Sequence, residues 1–179
     1  NITLKINGTG TKKVFCSTGY FESKYHPNMV YINGIKKDTI THSYDFDQTD
    51  NVVKLIWNNT IDNCQNIFRE CSDITEIDLS SFDSSKCKSM WCMFYKCSSL
   101  TSLNLSNLNT SNVNLMQCMF SLCSSLTSIN LSSFNTSQVT DMRSMFYNCS
   151  SLTSLNLSNF NISQVTSASL MFSGCTNLE

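Results

Sequence analysis

A chain of 179 residues is long enough to bury a real core in one or two domains. Its net charge of −1, with charged residues at 14%, excludes the basic footprint of a nucleic-acid binder. No apolar stretch approaches the roughly 18 residues that a membrane-spanning helix needs. Serine and threonine together number 47 and asparagine 21, against 5 glycines and 1 proline. That balance describes a folded protein with an uncharged, hydroxyl- and amide-rich surface, not a linker. The first residue is Asn1, with no apolar segment before it, which fits either a cut boundary or a mature chain whose leader was removed.

The first stretch reads as β. Ile2, Leu4 and Ile6 alternate, and Asn7-Gly8 offers a turn. Val30-Tyr31-Ile32, Asn33-Gly34 and Ile35 carry the signature of a tight hairpin. Ser43–Phe46 and Val52–Trp57 read as two more strands around Asp47–Asp50. The spacing predicts a β-rich N-terminal segment over residues 1–57, capping a repeat array over 58–179. Val53 lies two periods before Leu105, so Val52–Trp57 is expected to start the array's sheet.

A 26-residue repeat dominates the rest. Phe68, Phe94, Phe120, Phe146 and Phe172 follow that step, as do Cys71, Cys97, Cys123, Cys149 and Cys175. Four further apolar columns keep the same register, at Ile74/Leu100/Leu126/Leu152/Leu178, Ile77/Leu103/Ile129/Leu155, Leu79/Leu105/Leu131/Leu157 and Phe82/Leu108/Phe134/Phe160. Within one repeat, Val139, Met142, Met145, Phe146 and Cys149 are spaced as one face of a helix. Leu155 and Leu157 are spaced as a short strand whose other face holds Ser154, Asn156 and Ser158. The expectation is an α/β solenoid of the leucine-rich-repeat kind: a parallel sheet on one face, short helices on the other, about four and a half repeats, and a first helix from Ile61 to Cys71.

The run Met145-Phe146-x-x-Cys149-Ser-Ser-Leu152-Thr-Ser-Leu155-Asn-Leu157-Ser-x-Phe160-Asn-Ile162-Ser-x-Val165-Thr166 resembles the BspA-like leucine-rich-repeat surface proteins, whose repeat was first noted in mycoplasma lipoproteins. The resemblance covers roughly residues 56–179. It implies a secreted or surface-anchored protein that adheres to host, matrix or neighbouring cells, with no enzymatic activity. No lipid-anchoring cysteine, wall-sorting signal or membrane span is visible in the sequence.

The candidate sites follow from the columns. The five-cysteine column lies on the inward face and reads as free, buried thiols. Cys92 and Cys118, one period apart and turned away from that face, are the preferred disulfide candidates. Cys64 and Cys87 take the places of a methionine and a valine, so core packing is favoured over a bridge between them; Cys16 has no evident partner. No Cys-x-x-Cys pair occurs and both histidines, His26 and His42, lie outside the repeats, so no zinc site is expected. Asp45, Asp47 and Asp50 lack the glycine and distal glutamate of an EF-hand. Between residues 98 and 178 only Asp141 and Arg143 are charged, which leaves no general base for catalysis, and no cofactor is called for.

Ten Asn-x-Ser/Thr sequons occur. Asn109, Asn135 and Asn161, in the turn after each strand, are the preferred glycan acceptors with Asn58 and Asn7. The outward sheet face (Glu76, Asp78, Ser102, Asn104, Ser128, Asn130, Ser154 and Asn156) is the expected binding surface. The reading is an extracellular or cell-surface protein contacting protein or glycan ligands through many weak contacts. The alternative is a protomer of an extracellular fibre or coat, copies stacking end to end into a homo-oligomer or filament.

Overall fold

A computed structural model describes residues 1–17, 19 and 21–179. Alternation does what period two dictates in the first stretch: Ile2, Leu4 and Ile6 are buried in strand β1 (Ile2–Asn7). Then come β2 (Gly10–Lys13), β3 (Met29–Ile32), β4 (Ile35–Lys36), β5 (Ser43–Phe46) and β6 (Asp50–Ile56). Asn33 and Gly34, at φ 51° and 82°, close the β3–β4 hairpin, as a two-residue turn with left-handed residues must. The repeats supply β7 (Ile74–Asp78) and β8 (Ser102–Asn104). The main sheet is mixed, in the order β4-β3-β6-β1-β7-β8, and β2 pairs with β5 alongside it.

The strand Val52–Trp57 does not start the sheet of the repeats. β1 is inserted between β6 and β7 and is antiparallel to both, so Leu4 faces Val53 on one side and Ile77 on the other. All three are buried, and Lys5 is paired with Glu76 at 2.8 Å on the outer face. One hydrophobic core therefore runs from the N-terminal strands into the repeats without a break at residue 57.

The expected α/β class is overturned. The protein is almost entirely β and turn, and among the described residues the sole helical segment is a single 3-10 turn at Ser23–Tyr25. Where helices were expected, alternate amides leave the coil. Met90, Cys92, Phe94 and Lys96 donate to the carbonyls of Leu115, Gln117, Met119 and Ser121 in the next coil, at 2.8–3.1 Å. The amides between them close tight turns within the coil: Met93 to Met90, Tyr95 to Cys92 and Cys97 to Phe94, at 3.1–3.2 Å. An α-helix needs every residue right-handed and every amide bonded four residues back. Here two residues per coil are left-handed: Cys92 and Lys96, Cys118 and Leu122, Ser144 and Asn148, at φ 53–64°.

The physical reason for the misreading is that a step of three is also the span of one β-turn. Val139 closes on Thr136, Met145 on Met142, Cys149 on Phe146 and Leu152 on Cys149. Each turn ends on an inward apolar residue, which imitates a helical face. The sheet is also shorter than expected. β7 and β8 pair in parallel, Glu76 beside Ser102 and Asp78 beside Asn104, but later coils form no strand there. The lasting ladder lies on the opposite side, along Ser89, Leu115, Asp141 and Ser167.

Stacking by 26 residues puts like beside like. Phe68, Phe94, Phe120, Phe146 and Phe172 form one column with ring centroids 5.3–5.9 Å apart and planes within 13° of parallel. The first four are fully buried, each contributing about 1.5–3 kcal/mol relative to exposure. The N-terminal segment covers the first coil, where the Cys16 amide donates to the Ile67 carbonyl at 2.7 Å and Phe15 is buried.

Candidate functional site

The outer face is built by the turn that ends each strand. Asp78, Asn104, Asn130 and Asn156 each accept, through Oδ1, the amide two residues on (Ser80, Ser106, Ser132, Ser158) at 2.9–3.1 Å. Such side-chain turns are what Asp and Asn favour over regular backbone pairing. Asn104 also donates to Asp78 at 2.9 Å, linking the first two members of the column. The amide and the hydroxyl of Ser80 hold the Asp78 carboxyl below its usual range, and the Asn104 amide adds to them. Ser102, Ser128 and Ser154 stand exposed beside this column, as do Asn104, Asn130 and Asn156; Glu76 is half-buried under its pair with Lys5. The face thus presents hydroxyls and amides in rows, with acid only at Glu76 and Asp78.

A second ladder, unforeseen in the sequence, lies under the next turn. Ser84, Thr110 and Thr136 are 26 apart and buried. Each hydroxyl donates to a carbonyl in the following coil (Asn109, Asn135, Asn161) at 2.9–3.0 Å and accepts the amide of the same residue at 2.8 Å. Asn109, Asn135 and Asn161 in turn accept the amides of Ser111, Ser137 and Ser163 at 2.9–3.0 Å. The fold therefore has its own use for the Asn-Thr-Ser and Asn-Ile-Ser motifs. All three asparagines remain exposed, as do Asn7 and Asn58. A column of hydroxyl residues at one register was the signal that could have revealed this ladder.

Apart from Cys16, which is free and buried, the cysteines fall into three groups. Cys64 and Cys87 are bridged, Cα atoms 5.8 Å apart, tying the first coil to the start of the second. Bridging was the less favoured reading of this pair. The inward column is free: Cys97, Cys123 and Cys149 are buried and each donates to a phenylalanine carbonyl one coil back (Phe68, Phe94, Phe120) at 3.0–3.2 Å. Burial drives these thiols up, Cys149 to about 12, and leaves them unreactive. Cys92 and Cys118 are free and hold the same register in adjacent coils. Cys92 is buried, at 3% exposure, where an exposed position was expected, and Cys118 is half-exposed.

The charged pair Asp141–Arg143 is bidentate, with Nε–Oδ1 3.1 Å and Nη2–Oδ2 2.6 Å. Burial pushes the Asp141 carboxyl up, but the bonds from Arg143 outweigh it and the net displacement is downward. Among the described residues no group of three or more histidine, cysteine or acidic side chains is gathered as metal ligands. No helix among them is long and apolar enough to cross a membrane.

Rows of repeated side chains on a stacked-turn frame, with no convergent cluster of metal-ligating groups among the described residues, define a repeat protein whose surface is periodic. The family model described as "Mycoplasma protein of unknown function, DUF285" matches residues 62–179, and the chain belongs to that family. No curated protein and no solved structure matches the chain.

Proposed function

We propose that the protein is an extracellular or cell-surface adhesion module whose outer face works by many weak contacts and not by catalysis. The observation that carries this reading is the exposed register of Ser102, Ser128 and Ser154 beside Asn104, Asn130 and Asn156, which offers one donor–acceptor pattern in successive coils. Such a row lacks the aromatic and arginine anchors of tight protein recognition. It suits ligands that are themselves repetitive, glycan chains above all, bound through several coils at once. Membership of a family first described in mycoplasma, together with the likeness of the repeat to BspA-like surface proteins, supports a surface role. So do the intramolecular bridge Cys64–Cys87 and the exposed sequons, both at home in an oxidising compartment.

Binding of the protein to immobilised glycans and matrix proteins, as single molecules and clustered on beads, tests it. Single molecules should bind weakly, and clustering should raise apparent affinity by roughly 10²–10⁴. Ser102→Lys, Ser128→Lys and Ser154→Lys together should abolish binding while leaving the fold intact. Binding indifferent to that triple change, or none at any clustering, would overturn the reading.

An end-to-end fibre is the weaker alternative. The first coil is covered by the segment around Phe15 and Cys16, which a second copy stacking head to tail would have to displace.

A further inference from the structure

Of the thiols, Cys92 and Cys118 are the two that neither the core nor a bridge accounts for. They hold the same place in adjacent coils, both left-handed, at φ 53° and 55°. The ladder brackets them: the Cys92 amide bonds to the Gln117 carbonyl at 3.1 Å and the Phe94 amide to Met119 at 2.9 Å. Hydrogen-bonded neighbours of this kind lie about 4.8 Å apart, inside the roughly 4.4–6.8 Å that a disulfide spans between Cα atoms. The shared register and backbone conformation set the two side chains next to each other in adjacent coils. Their exposure is unequal, since Cys92 is buried and Cys118 is open to solvent on one side.

We propose that Cys92 and Cys118 form a thiol–disulfide exchange site, in which Cys118 attacks a small external disulfide and Cys92 resolves the adduct into a bridge between coils. The inference does not depend on adhesion. In the first step the Cys118 thiolate displaces one half of the external disulfide, forming a mixed disulfide and releasing one thiolate. In the second, Cys92 gives up its proton to solvent and its sulfur attacks the Cys118 sulfur, releasing the other half. The balance is two protein thiols and one external disulfide to one protein disulfide and two small thiols; the protein pair is oxidised and the external disulfide reduced. Access selects the order, because an incoming disulfide reaches the Cys118 sulfur and not the buried Cys92. Electrostatics agrees: the neighbouring Cys92 lowers the Cys118 thiol to about 7, and the Arg143 and Arg69 cations help, against burial and the Asp141 carboxylate. Cys92 moves upward, through the neighbouring Cys118 and its own burial.

Serine is a fitting probe, because Ser144 occupies the same register one coil on, at φ 54°. The protein is treated with oxidised glutathione and digested for mass spectrometry, and alkylation rates are measured before oxidation. The wild type should yield a linked Cys92–Cys118 peptide without lasting adduct. Cys92→Ser should accumulate glutathione on Cys118, and Cys118→Ser should take none at Cys92. Cys118 should also alkylate at least about tenfold faster than Cys175, the half-buried thiol of the inward column. The alkylation comparison uses wild type and needs no variant to fold. An adduct on Cys92, no linked peptide, or equal alkylation of Cys118 and Cys175 would overturn the proposal.

Discussion

The amide of Cys92 donates to the carbonyl of Gln117 in the next coil, at 3.1 Å. The carbonyl that an α-helix would give it, Lys88, accepts instead from Asn114 at 2.9 Å. Both ends of the would-be helical bond are turned outward to neighbouring coils, so each coil's backbone is satisfied by its neighbours and cannot be stable alone. Local change should therefore be felt in proportion to how many coils a residue joins.

Phe120 stacks on Phe94 at 5.5 Å and on Phe146 at 5.3 Å, fully buried. Phe120→Ala should cost about 3–5 kcal/mol, since the cavity is closed on both sides. Phe172→Ala, on a ring 40% exposed with one stacking partner, should cost clearly less. Urea unfolding of the two variants decides it; equal losses would mean that the column is not a continuous stack.

The hydroxyl of Thr110 is buried and holds both the carbonyl of Asn135 at 2.9 Å and its amide at 2.8 Å. Thr110→Val keeps the shape and removes both bonds, leaving two backbone groups short of partners. The expected loss is about 1–3 kcal/mol. Thr127→Val, on the exposed face, should stay within about 0.5 kcal/mol of wild type. The same unfolding assay reads the difference.

Met90 and Val113 stand one coil after Cys64 and Cys87, so Cys64→Met with Cys87→Val restores the residues of the repeat while removing the bridge. The bridge closes a loop of 23 residues, worth about 3 kcal/mol by the chain-entropy argument. The double variant should fold with about that loss in denaturant midpoint stability. Stability equal to wild type under non-reducing conditions would show that the bridge does not form.

Asp141 is 9% exposed and depends on Arg143, whose own side chain is 55% exposed. Because water reaches the arginine, Arg143→Ala should cost little at neutral pH. The pH dependence is the sharper readout. A carboxyl held below its unfolded value of about 3.9 stabilises the protein above that pH, and the contribution fades as pH falls toward the folded value. In Arg143→Ala the side-chain bonds and the cation are lost while burial still acts upward, and only the amide of residue 143 continues to hold Asp141 down. The variant's gain in stability as pH climbs through about 4 should then be smaller than that of wild type. Parallel pH profiles would contradict the role given to Arg143.

The columns were legible in the sequence because burial is enforced at every coil: Phe68 to Phe146, Leu100 to Leu152 and Met93 to Met145 all lie inward. The hairpin at Asn33-Gly34 was legible because few dipeptides accept two positive φ angles. The backbone between the columns was not. Cys92, Lys96, Cys118 and Leu122 are left-handed without being glycine, against their local preference, and only the inter-coil ladder compensates. The insertion of β1 beside β7 was equally hidden, since an alternating strand does not name its neighbours. On the outer face the side-chain types were readable, but not that Asn104 and Asn130 are held as turn formers. The Cys64–Cys87 bridge was obscured because each residue also fits its apolar column.

Scalar couplings transmitted through hydrogen bonds in the isotopically labelled protein read the stacked-turn ladder bond by bond. Correlations are expected from the Cys92 amide nitrogen to the Gln117 carbonyl carbon and from Phe94 to Met119. Correlations from Cys92 to Lys88 and from Phe94 to Met90 would instead reveal helices and contradict the account.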